Sequence, residues 1–358
     1  MIAKSHPRVA VALSGGVDSA MAAALLIEQG YDVFGITMRI WQELPEAGQP
    51  TLPDVAKQAR QVADALHIPL HVVDAAVPFK THVVDPFIAA YSGGRTPNPC
   101  LYCNRHVKFG YLLRQALDLG ADTFATGHYT RIRRNPNGQD WQLLRGSDPA
   151  KDQSYMLYML GQQKLGKIIF PLGELDKTRV RQMARERRLP AAHAEESQDL
   201  CFVLDNDYRR FLARYAPKSM APGPILNSHG QEIGRHKGLA AYTIGQRGGL
   251  GIAAPEALYV LRIDTAHNAL IVGPRRELGH DSLLAADVRW VSGYPPTSPV
   301  AVTAQIRYKA PAAPATVTPL PEARARVHFD HPLRDITPGQ GVVFYDQEIV
   351  LGGGLIQE

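Results

Sequence analysis

The chain has 358 residues and only three cysteines, two of them spaced as Cys100-Leu101-Tyr102-Cys103 within the segment 95–104, R-T-P-N-P-C-L-Y-C-N. A Cys-x-x-Cys pair can be half of a zinc site, a redox dithiol, or a nucleophile with a neighbouring group. Structural zinc needs four ligands, and only Cys201 and scattered histidines could complete the set, with no second Cys-x-x-Cys present. A thioredoxin-like pair would open the helix after the first strand, and a glycine turn occupies that place. The prolines at 97 and 99 make the segment a rigid, non-helical loop by expectation. Cys201, in S-Q-D-L-C-F-V at 197–203, lies among Leu, Phe and Val and taken alone would be an inert core thiol.

The second chemical feature is Ser14-Gly15-Gly16-Val17-Asp18-Ser19. Two glycines let the backbone turn its N–H groups toward a ligand, two serines add hydroxyls, and the helix that follows contributes its N-terminal partial charge. That is a cradle for phosphate, although a bare Gly-Gly is more often only a tight turn. The pattern is neither G-x-x-x-x-G-K-[ST] nor G-x-G-x-x-G, and no lysine within it can reach a terminal phosphate.

The elements that must position these residues alternate. Strands are expected at 8–13, 32–38, 70–74 and 123–126, and helices at 20–29, 55–66, 108–117 and 176–188. This order predicts an α/β, doubly wound parallel sheet. From about Tyr208 the chain becomes glycine-rich, and beyond Ser282 short alternating runs separated by prolines predict a small β-barrel. The stretch 310–321 holds four prolines and is expected to be a loop or an edge strand, not a central one. The expected division is a catalytic domain over 1–205, a small central domain over 206–280 and a barrel over 281–358.

Composition narrows the class. With 39 Lys and Arg against 34 Asp and Glu, the net charge of +5 permits a polyanionic partner without requiring one. No apolar run approaches the ~20 residues of a membrane span, and the first residues carry no secretory pattern, so a cytoplasmic protein without a membrane partner is expected. The helix at 176–188 carries Lys177, Arg179, Arg181, Arg185, Arg187 and Arg188, either a solvated face or a phosphate-binding one.

S-G-G-V-D-S after the first strand is similar to the signature of the PP-loop ATP pyrophosphatases, which activate a carbonyl oxygen by transferring AMP to it. Taken with T-P-N-P-C-L-Y-C-N, A-T-G-H-Y, K-D-Q-S-Y, S-Q-D-L-C-F, Y-T-I-G-Q-R, R-Y-K and P-G-Q, the chain resembles the tRNA-specific 2-thiouridylases from residue 14 to residue 340. The resemblance implies an adenine-nucleotide-hydrolase-like domain, a central tRNA-binding domain and a terminal barrel. ATP would be held by Ala12, Leu13, Ser14, Gly15, Gly16, Val17, Asp18 and Ser19 with Met38 and Gly127, and Asp18 would help hold Mg²⁺.

By the same resemblance Cys103 is the nucleophile and Cys201 carries a persulfide. Asn98, Pro99 and Cys100 meet the target base, and His128, Lys151, Asp152, Gln153, Arg307, Tyr308 and Gln340 contact tRNA. Many members have Asp where this chain has Cys100, which leaves open whether Cys100 moves protons, stands by, or joins a metal site. A minority form of the mechanism places an iron–sulfur cluster on Cys100, Cys103 and Cys201. The implied partners are tRNA and a persulfide donor, a cysteine desulfurase or sulfur relay protein, with the enzyme expected to be a monomer. Two other classes share parts of the pattern: a PP-loop ligase or amidotransferase acting on a small carbonyl, which has no need of paired thiols, and a non-catalytic RNA-binding module, which the intact turn opposes.

Overall fold

The computed structural model of the chain describes residues 7–45, 54–193 and 200–357. Its first sheet contains β1 (Arg8–Ala12), β2 (Asp32–Arg39), β3 (Leu70–Asp74), β4 (Thr123–Ala125) and, after the hairpin β5 (Thr130–Arg134) and β6 (Trp141–Arg145), β7 (Ile168–Ile169). The order is β3-β2-β1-β4-β7, and the pairings are parallel. Both faces are covered, so the strands are apolar on both sides. Val9 and Val11 pack toward Ala20, Ala23 and Leu26 of helix α1 (Val17–Glu28). Ala10, between them, joins Phe34, Phe109 and Phe124 in the opposite layer. Chain order reverses at β1, which has β2 on one side and β4 on the other. The carboxyl end of β1 is therefore the topological switch point, where open α/β sheets place ligands.

The central unit opens with a helix, Tyr208–Tyr215, that glycine-rich composition did not announce, capped by Asp207 on the N–H groups of Arg209 and Arg210. It continues as β8 (Gly223–Asn227), β9 (Glu232–His236), β10 (Leu258–Asp264) and β11 (Ala269–Pro274), ordered β10-β11-β8-β9. The last unit holds β12 (His280–Trp290), β13 (Val300–Gln305), β14 (Ala313–Leu320), β15 (Arg324–Leu333), β16 (Gly341–Asp346) and β17 (Ile349–Ile356). Its order β12-β15-β14-β13-β16-β17 closes through β12–β17 into an antiparallel barrel.

Two sequence expectations need correction. The proline-rich stretch is not a loop or an edge: β14 lies between β13 and β15. Pro314 pairs with Thr303 before the β15 pairing begins at Ala315, and Pro319 pairs with Ala325 after the β13 pairing ends at Val317. Each proline thus falls where β14 has one neighbour, so its missing N–H interrupts no ladder on a second side. The other correction concerns the cysteine segment. The chain is helical from 99 to 118, as Pro99–Tyr102, a stretch of wider π-type winding over Cys103–Leu112, and Leu113–Asp118. Pro99 occupies the first helical position, where proline is favoured because its absent N–H would be unpaired anyway.

The β5–β6 hairpin was not anticipated. It pairs Ile349 and Val350 of β17 with Leu144 and Leu143, and so ties the first unit to the barrel. No helix among the described residues is long and apolar enough to cross a membrane.

Candidate active site

The phosphate turn sits at the switch point. Leu13 donates its N–H to Ile36 at 2.9 Å and closes β1 after Ala12. Ser14 N–H donates to Ser19 Oγ (3.1 Å), and Ser19 Oγ donates to the Gly16 carbonyl (3.0 Å), which folds the turn on itself. Gly15 has φ +77°, and a Cβ there would lie 2.4 Å from Gln58 Cβ, so only glycine fits. Gly16 caps α1 without a side chain and Val17 is buried behind it, which leaves the first-turn N–H groups directed at the switch point. Gly127, just past β4, packs so closely that a Cβ would come within 2.6 Å of Asp18 and 2.8 Å of Ser19. Met38 lies near the end of β2, packed against two of the apolar clusters.

The turn contains no lysine, but the tertiary fold supplies one. Lys177, 8% exposed at the start of the Lys177–Glu186 helix, places Nζ 2.7 Å from both carboxylate oxygens of Asp18. Tyr129 donates its hydroxyl to Asp18 Oδ1 at 2.7 Å. A carboxylate suits Mg²⁺ in kind. In this arrangement Lys177 and Tyr129 orient the Asp18 carboxylate, the group that would hold the ion. The basic helix is accordingly divided. Lys177 faces inward, Arg187 grips Glu28 through two bonds (2.6 and 2.9 Å), and Arg185 and Arg188 remain exposed.

The thiol side is assembled from separate segments. Asn98 caps the long helix, its Oδ1 accepting the Cys100 N–H at 3.1 Å. Asn104, buried beside Cys103, donates Nδ2 to the Met156 carbonyl at 3.0 Å. Cys103 is 8% exposed and belongs to an apolar cluster that also contains Phe202 and Val203, with Leu200 packed against that cluster, so the residues flanking Cys201 and Cys103 share one core. Cys100 and Cys201 are exposed. Burial pushes the Cys103 thiol up to about 11. The Cys201 thiol is raised as well, by the protein mass around it and then by Cys103 and Cys100, although its side chain reaches water. Ser197, Gln198 and Asp199 of the same motif lie outside the described residues. Among the described residues no group of three or more His, Cys, Asp or Glu is placed to hold a metal ion, so the three cysteines do not fit an iron–sulfur cluster here.

Distant elements hold these segments. Thr96 donates its N–H to the Pro338 carbonyl (2.9 Å), accepts Gln340 Nε2 at its own carbonyl (2.9 Å), and donates its hydroxyl to Thr243 Oγ1 (3.2 Å). The barrel and the central unit therefore both clasp the loop that leads to Cys100. Gly339 has φ +93°, and a Cβ there would meet the Thr96 carbonyl at 2.9 Å. On the other flank Glu43, with a fully buried side chain, binds Arg210 through both oxygens (2.7 and 2.6 Å). Its N–H donates to the Phe202 carbonyl at 3.3 Å. Arg210, foremost, holds the Glu43 carboxyl below the usual carboxylate range.

The residues tied to tRNA by resemblance fall into two groups. Asp152 accepts from Gly146, Ser154 and Arg145, and Gln153 accepts the Tyr129 N–H at 2.9 Å, so both half-buried side chains are bonded within the protein. Gln340 is likewise engaged with Thr96. His128, between Phe109 and Phe170, bonds Thr126 Oγ1 through Nδ1 at 2.7 Å, and burial keeps its imidazole neutral. Arg307 is exposed beside Asp335, Tyr308 leans on Tyr155, and Lys151 is half-buried. Sequence reasoning missed Lys177 as the partner of Asp18, Glu43 as an anchor, and Lys108. Only the K-F spacing after C-N could have drawn attention to the last.

A phosphate-binding turn at the switch point of a parallel sheet, beside a two-segment thiol site, defines a PP-loop nucleotide-binding protein equipped for sulfur chemistry. Family models match three consecutive regions: a tRNA methyl transferase HUP domain over 7–205, a tRNA methyl transferase PRC-barrel domain over 209–274 and an aminomethyltransferase beta-barrel domain over 280–356. The tRNA-specific 2-thiouridylase MnmA of Magnetococcus marinus is 50% identical over 353 residues, covering 98% of each chain. That of Chloroflexus aggregans is 49% identical over 351 residues, covering 97% of this chain and 98% of its own. The chain belongs to the tRNA-specific 2-thiouridylase family. Among solved structures, the U34-tRNA thiolase NcsA of Methanococcus maripaludis aligns with 60% of this chain and 68% of its own, at TM-score 0.35 and 22% identity.

Proposed function

We propose that this protein converts the 2-oxygen of the tRNA wobble uridine to sulfur at the expense of ATP. The turn from Ser14 to Ser19 and the Lys177 ammonium hold the phosphates, and the uracil oxygen attacks the α-phosphorus as pyrophosphate leaves. Oxide is a poor leaving group, and AMP is a far better one. Cys201 carries a persulfide received from a donor protein, a cysteine desulfurase or sulfur relay. Its terminal sulfur attacks the activated carbon and AMP departs with the oxygen. Cys103 then attacks Cys201 Sγ, the electron pair of the broken S–S bond stays on the substrate sulfur, and 2-thiouridine forms. A Cys103–Cys201 disulfide remains, which a thiol reductant reopens.

Asn98, Pro99 and Cys100 meet the base in this scheme, and Lys151, Arg307 and Tyr308 offer charge and a ring to the RNA. Asp152, Gln153 and Gln340 act through the loops they hold. One chain carries every group used, in keeping with a monomer working on cytoplasmic tRNA. The observation that carries the proposal is that the apolar cluster burying Cys103 also takes in Phe202 and Val203, with Leu200 packed on it, in a chain with an intact phosphate turn. The test is mass spectrometry of tRNA after reaction with ATP and a persulfide donor. Thiolation should vanish in Cys201→Ser. In Cys103→Ser it should vanish while adenylation of tRNA survives. Thiolation by Cys201→Ser at the wild-type rate would overturn the scheme.

A further inference from the structure

The helix that carries Cys100 and Cys103 bears one more charged group with no assigned part. Lys108 is half-buried, and within the described residues it makes no hydrogen bond and no ion pair. Its charge nevertheless reaches Cys100, Cys103, Cys201 and the neutral imidazole of His128. The winding of the helix explains the placement. In an α-helix a residue five positions on is turned about 140° away from its predecessor. Over Cys103–Leu112 the winding is π-type, whose bonds join residues five apart, so Lys108 stands roughly one turn beyond Cys103 and nearer its face than an α-helix would bring it. Such wide turns are rare and concentrate at functional sites.

A half-buried ammonium without a carboxylate is unfavourable unless an anion comes to meet it. The titratable groups its charge reaches are three thiols and a neutral histidine, from the helix itself, from the Cys201 segment and from the chain after β4. Each thiol can become an anion, and the protein mass around them, which buries only Cys103, opposes that change in all three. We propose that Lys108 is the cation that stabilises the sulfur anions of the transfer, the Cys103 thiolate and the persulfide of Cys201. The assignment rests on the sulfur-transfer scheme above. It makes Lys108 a positioning and activating group and not a nucleophile.

The test uses the full chain without ATP or tRNA. Alkylation of Cys103 and Cys201 by iodoacetamide is followed from pH 7 to 11, each cysteine resolved by peptide mass spectrometry. In Lys108→Met the alkylation rate at Cys103 should fall about tenfold at pH 8, the effect of one unit in the thiol equilibrium. The pH profile should move up correspondingly. Lys108→Arg keeps the charge and should restore the wild-type profile, and it also controls for loss of fold. An unchanged profile in Lys108→Met would overturn the assignment, as would an arginine variant that behaves like methionine. Unchanged thiol reactivity with weakened tRNA binding would instead give Lys108 to an RNA phosphate. Failure of the sulfur scheme itself is visible separately, as thiolation that survives Cys201→Ser.

Discussion

The two halves of the site are built on opposite plans. The phosphate side is one hexapeptide whose own backbone makes the cradle, stiffened by two internal serine bonds. The thiol side has no such local design. Cys103 begins the π-type part of a long helix, Cys201 lies on a separate segment, and barrel, central unit and strand end are all needed to hold the two. Binding an anion needs converging N–H groups, which a contiguous turn provides. Moving sulfur needs two thiols that can meet and part, and these come most readily from different segments.

If the halves are separable, each can be broken alone. Cys201→Ser should abolish thiolation and leave ATP-dependent pyrophosphate release with tRNA intact, whereas Gly15→Val, at φ +77° against Gln58, should abolish pyrophosphate release and leave iodoacetamide reactivity of the thiols unchanged. Loss of both properties in either variant would show the halves to be one unit. Lys177→Met tests the phosphate half more finely. Removing one member of a buried pair costs about 3–5 kcal/mol, and the partial exposure of Asp18 lowers this to about 2–3. The KM for ATP should rise while tRNA affinity holds; the reverse would return Lys177 to an RNA-binding face.

The thiol half can be loosened from either flank. Glu43→Gln removes a buried carboxylate that Arg210, foremost, holds below the ordinary glutamate value of 4.5. A lowered folded value means its stabilisation is full above 4.5 and is lost as pH falls through the lowered value. Thermal melts should therefore separate wild type from Glu43→Gln by about 2–4 kcal/mol at neutral pH, with the gap closing in acid. The smallest effect is expected at the barrel clasp. Gln340→Ala removes one hydrogen bond to Thr96 and should cost about 1 kcal/mol in denaturant unfolding.

Much of this was legible before any coordinates. The alternation of strands and helices announced the parallel sheet, and β3 falls on its expected residues, 70–74. The cysteine segment departs from its expected loop because Pro99, at the first helical position, starts a helix where a proline elsewhere breaks one. The proline-rich strand departs from its expected place because whether a strand is central depends on its neighbours, and the overlap that spares Pro314 and Pro319 is a matter of register. The β5–β6 hairpin escaped because its reason for existing is the barrel strand it meets.

The amino-acid sequence by itself determined the phosphate turn, the three thiols and the class of sheet that carries them, because each depends on residues adjacent in the chain or on a short period. Only the tertiary structure decided which charges serve them. Lys177 reaches Asp18 across 159 residues. Thr96 is clasped by Gln340 across 244. Lys108 comes about one turn beyond Cys103 because the helix between them is wound wide. Coulomb forces and hydrogen bonds act through distance in space, and no spacing along the chain records that distance.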